Sequence, residues 1–103
     1  MDSPQELADE VVVLYREGNM EAYYVKLDEL KFSCNEECDW KHCLREAGMP
    51  AAMMERSADQ LKSGDVCAAR DTFGRAQRFF GSCVQQLDGH YNLSPQLELA
   101  SAA

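Results

Sequence analysis

Long apolar runs are missing from this chain. The longest is Val11–Tyr15, five residues in a sequence of 103, far short of the roughly 18 that a bilayer-spanning helix requires. Glycine and proline are scarce, at six and three, which excludes collagen-like and low-complexity architectures. Histidine occurs only at His42 and His90, and neither has a serine, cysteine or carboxylate near it in a recognisable catalytic spacing. Cys43 beside His42 is adjacency in sequence, which says little about a nucleophile–base pair. A G-x-S-x-G nucleophile turn, a D-x-D-x-D-G calcium loop, a phosphate-cradling glycine loop and a dinucleotide fingerprint are all lacking. The opening MDSPQELADE has neither a basic nor an apolar targeting region, so no signal peptide is expected. These absences point away from enzymes and membrane proteins.

What remains is a small acidic chain with ordinary globular composition, 46% apolar and 27% charged. Its length suits one domain, expected over residues 1–89 and followed by a loosely held tail, 90–103. The net charge of −8 disfavours phosphate backbones as partners. That charge is not spread evenly. Residues 1–39 hold eleven acids and three bases, whereas residues 40–103 hold seven of each. The acidic first segment is expected to keep the chain soluble or to steer a basic partner.

Helical signals follow one another along the chain. Ser3-Pro4-Gln5-Glu6 supplies a cap, a first-turn proline and the acid of a capping box. Leu7, Val11, Leu14 and Tyr15 then recur at helical period, until Gly18-Asn19 stops the helix. A second helix is expected over residues 20–32, with Met20, Tyr23, Tyr24, Leu27 and Leu30 on one side. Residues 33–39 read as a loop, 40–47 as a short helix capped by Asp39, and 50–62 as a fourth helix. A long fifth one runs over 66–87, carrying Val66, Ala69, Phe73, Ala76, Phe80, Cys83 and Leu87 as a seam. Gly74 and Gly81 lie inside it and are expected to mark close helix approach, with Asp88-Gly89 as the stop. Nothing alternates as a strand would. The expected fold is all-α, a bundle of four to five antiparallel helices built from two helical hairpins.

An internal echo supports the two hairpins. Residues 15–22 read YREGNMEA and residues 61–68 read LKSGDVCA, an offset of 46. Each has a basic last turn, a glycine, an Asn or Asp to cap the next helix, and a small alanine. With Gly64, Asp65, Ala68, Phe73 and Ala76 in place, the second stretch resembles a tetratricopeptide-type hairpin, although the period differs from the usual ~34. Through Trp40, Gly64-Asp65, Ala69-Arg70 and Gly74-Arg75-Ala76 followed by the paired Phe79-Phe80, residues 40–80 also resemble the helical segment that precedes or caps the catalytic domain of fermentation-respiration-switch-type α/β-hydrolases. That resemblance implies a helical scaffold or a cap fragment of a larger enzyme, without the hydrolase itself.

Five cysteines, an odd count, favour a reduced, cytoplasmic setting. Cys34, Cys38, His42 and Cys43 place four potential zinc ligands within ten residues, and Cys38 and His42 would share a helix face at i, i+4. Cys43 would point about 100° away from His42, so plain thiols compete with a zinc site. Tyr23-Tyr24 and Phe79-Phe80 are adjacent aromatic pairs. Helix neighbours diverge by about 100°, so one member of each pair should reach beyond a narrow core. The expected function is a non-enzymatic module for protein–protein interaction or self-association as a homodimer. Tyr23, Tyr24, Phe79 and Phe80 would give apolar contact, and Glu17, Glu21, Asp28 and Glu29 would attract a basic partner. A small-ligand or zinc-binding domain on Cys34–Cys43 is the alternative.

Overall fold

Residues 3–102 are described by a computed structural model, and every regular element among them is an α-helix. Six succeed one another: α1 (Pro4–Glu17), α2 (Met20–Ser33), α3 (Glu37–Glu46), α4 (Met49–Lys62), α5 (Val66–Tyr91) and α6 (Leu93–Ala102). None of the described helices is long and apolar enough to cross a membrane. The chain divides into two compact units, residues 1–52 and 53–103.

Local chemistry accounts for the first unit. The Ser3 hydroxyl accepts from the Glu6 N–H at 3.2 Å, and Pro4 opens α1 where no N–H is needed. Gly18 takes a left-handed φ of 77°. Its N–H reaches the Tyr15 carbonyl, and that of Asn19 reaches Leu14, each at 3.1 Å. This paired closure satisfies the last carbonyls of α1, and the Asn19 side chain then caps α2 by accepting from the Ala22 N–H. α1 packs on α2 and α3, burying Leu7, Ala8, Val11, Val12 and Tyr15. The Gln5 amide donates to the Cys43 carbonyl at 3.1 Å, a further tie between α1 and α3.

The same turn recurs 46 residues later. Gly64 has φ 86°, its N–H donates to Leu61, the Asp65 N–H donates to Gln60, and the Asp65 side chain caps α5 through the Ala68 N–H. The sequence echo is therefore a structural one. In this second unit the fully buried Ser57 hydroxyl donates to the Ala69 carbonyl at 2.8 Å, and Thr72 donates to the Gln60 side chain at 2.7 Å, linking α4 to α5.

Four expectations about the long helix and the tail need correction. The helix does not stop at Asp88-Gly89. It runs on to Tyr91 and closes at Asn92, whose left-handed φ of 55° suits asparagine. The Asp88 carboxylate accepts instead from the N–H groups of Leu93 and Ser94, at 2.8 and 3.2 Å, and so starts a further helix. Residues 93–102 accordingly form α6 rather than a loose tail, with Leu93 and Leu97 buried. Gly74 and Gly81 mark no close approach, since a Cβ on either would meet no atom within 4 Å. Gly81 follows Phe80, whose dihedrals (φ −137°, ψ 37°) interrupt the helical geometry. A Gly-Ser pair, here Gly81-Ser82, is a common site of such a kink. Beyond it the buried position is Val84, while Cys83 and Leu87 are half-buried, so the seam read from 66 to 87 changes phase at the kink.

Candidate functional site

A helix in a small protein ordinarily buries one stripe and gives the remainder to polar side chains. α2 departs from this. Leu30 is its buried residue, and Met20, Tyr23 and Leu27 flank it half-buried. The opposite side carries large apolar groups as well: Tyr24 is 53% exposed, Val25 56% and Phe32 92%. Among the described residues the other exposed large apolar side chains are Val13, Phe79 and Leu99, each on a different helix. Single exposed apolar residues are normal, whereas several on one face are not.

The three belong to one face by helix geometry. Val25 and Phe32 are seven residues apart, within about 20° of two whole turns, and Tyr24 lies about 100° from Val25. Glu21 and Asp28 fall between these directions and Glu29 at the edge, all exposed. The outward face is thus an apolar strip interleaved with carboxylates, about 12 Å long from Tyr24 to Phe32 at 1.5 Å per residue.

The nearby cations are committed elsewhere. Lys26 bridges Glu10 at 3.2 Å and Glu29 at 3.3 Å, and those two contacts hold its ammonium protonated above the ordinary range. Lys31 lies over the Trp40 ring at 5.0 Å and Lys41 at 5.8 Å. Lys41 also pairs with Glu37 at 2.9 Å, which pulls that carboxyl below its usual value. Glu21 and Asp28 form no ion pair among the described residues.

The adjacent aromatic pairs divide as neighbouring helix positions must. Tyr24 points outward, while the Tyr23 ring sits between those of Tyr15 and Tyr24, with centroids 5.3 and 5.0 Å away. Phe79 is 42% exposed and Phe80 only 4%, so Phe80 offers no surface to a partner. Glu17 is exposed at the end of α1 and is not part of the α2 face. Val25 and Phe32 were not singled out from the sequence. Their signal was available in the seven-residue spacing opposite the Tyr23–Leu27–Leu30 side.

The cysteine segment assembles less than its spacing suggested. Cys34 ends α2 half-buried, Cys43 is half-buried in α3 and His42 is exposed. The side chain of Cys38 lies outside the described part of the structure. Among the described residues no group of three or more His, Cys, Asp or Glu side chains is placed to hold a metal ion, so Cys34, His42 and Cys43 do not converge on one point. Burial pushes the Cys43 thiol above its ordinary value, and Cys34, Asp39, Asp9 and Glu46 push it further the same way. That favours the protonated thiol over a reactive thiolate.

No protein-family model, no curated protein and no solved structure matches the chain.

Proposed function

We propose that this chain is a non-enzymatic helical interaction module that docks on another protein. The observation that carries the reading is Phe32, 92% exposed on α2 beside Tyr24 and Val25. Keeping a phenylalanine in water forgoes about 1.5–3 kcal/mol of burial, and a docking face recovers it on association. The first unit is organised on a helix pair closed by Gly18-Asn19, and the second carries the equivalent Gly64-Asp65 closure between α4 and α5. This arrangement accords with two hairpins and with the tetratricopeptide-like resemblance. Cys34, Cys43, Cys67 and Cys83 are free thiols, which suits work in a reducing compartment such as the cytoplasm.

Affinity capture from the native source, run in parallel with wild-type chain and a Tyr24→Ser/Phe32→Ser variant, tests the proposal. Proteins retained by the wild type and lost by the variant are expected. Identical retention on both would contradict it. Sedimentation over a concentration series reports whether a second copy occupies the same face.

A further inference from the structure

Resting on that interaction reading, we infer that the outer face of α2 receives a cationic amphipathic helix from a partner protein. The apolar strip fixes the shape of the ligand. Tyr24, Val25 and Phe32 span about two helical turns, the distance over which a partner helix repeats its own apolar anchors at i, i+4 and i+7. Two helices packed side by side lie about 8–10 Å apart, close enough for residues flanking those anchors to reach the carboxylates on α2.

The carboxylates fix the charge of the ligand. Glu21 and Asp28 stand within the strip with no ion pair among the described residues, and Glu29 shares the Lys26 ammonium with Glu10. Lys31 and Lys41 are drawn to the Trp40 ring. The surrounding segment has eleven acids against three bases over residues 1–39. Anionic lipid and nucleic acid would be repelled. A second copy would be disfavoured too, because a two-fold contact sets the same patch against itself and would bring Glu21 and Asp28 near their own counterparts. Like charges across an interface carry a penalty. Lys or Arg beside the apolar anchors of a partner helix would instead form the missing pairs.

The test uses a fluorescently labelled leucine–lysine peptide with leucines at helical spacing and lysines elsewhere, titrated with the full chain and read by anisotropy. The controls are a peptide of the same composition with its leucines scrambled and a leucine–glutamate peptide of the same pattern. Far-UV circular dichroism verifies that each variant of the chain is folded. The patterned cationic peptide is expected to bind best. Phe32→Ser should weaken it by about tenfold, as for an apolar anchor residue. Glu21→Gln/Asp28→Asn should weaken it and flatten its dependence on salt between about 0.01 M and 1 M, a range over which the Debye length shrinks from about 30 to 3 Å. Equal binding of the scrambled peptide, or no effect of Phe32→Ser, would reduce the contact to nonspecific attraction and overturn the inference. Preference for the leucine–glutamate peptide, or self-association abolished by Phe32→Ser, would also overturn it while sparing the interaction module. A monomer that binds none of the three peptides would overturn this inference, and the capture experiment alone would then decide the interaction reading.

Discussion

Phe32 and Glu37 illustrate how single side chains depart from what a position in sequence implies. Phe32 sits in the last turn of α2 and is largely in water, so its truncation removes little packing. Glu37, in the first turn of α3, is held in its charged form by Lys41, four residues on, the favourable order for such a pair. Because the folded-state carboxyl lies below the ordinary 4.5, the contribution of the pair is present above that value and disappears as pH falls through the lowered one. Glu37→Gln should therefore lower the melting temperature slightly at neutral pH, and the gap to wild type should close on acidification below 4.5. A gap that stayed constant with pH would assign the effect to helix propensity instead. The caps Ser3, Asn19 and Asp65 were legible because each is a short polar residue acting on the N–H three positions ahead. The outward turn of Phe32 was not, since its burial depends on where α1 and α3 lie against α2.

At the scale of elements, α1, α4 and the starts of α2 and α5 have the limits that caps and glycine stops imply. α3 does not, since it begins at Glu37 with Asp39 inside its first turn rather than capping it, and neither do the end of α5 and α6. Asp88-Gly89 carries the residue types of a stop, yet Asp88 spends its carboxylate on the next helix. Asn92 provides the left-handed turn. That choice depends on Leu93 and Leu97 finding buried places, a tertiary gain invisible in local sequence. Asp88→Ala should cost about 0.5–2 kcal/mol, the usual range for a lost helix cap, measured by urea denaturation. Amide exchange at Leu93 and Ser94 should rise with it. Unchanged exchange there would mean that α6 is held by its leucines alone. Gly74 leads to the opposite expectation. With open space around its missing Cβ, Gly74→Ala should stabilise the chain by about 0.5–1 kcal/mol. A loss of stability would reveal a close approach at that position after all.

For the whole molecule, the acidic excess belongs to the segment that forms α1, α2 and the start of α3. Salt-sensitive binding should therefore follow substitutions in that segment and be largely indifferent to those in α5. The uneven charge was legible in the sequence. The exposed apolar strip was not, because apolar residues occur on both sides of α2 and only packing decides which side faces water. The most direct measurement is an amide chemical-shift titration of the full chain with the patterned leucine–lysine peptide. Shifts concentrated at Glu21, Tyr24, Val25, Asp28, Glu29 and Phe32 are predicted. Shifts centred on α5 or α6, or spread evenly over the acidic residues without involving Phe32, would contradict the account.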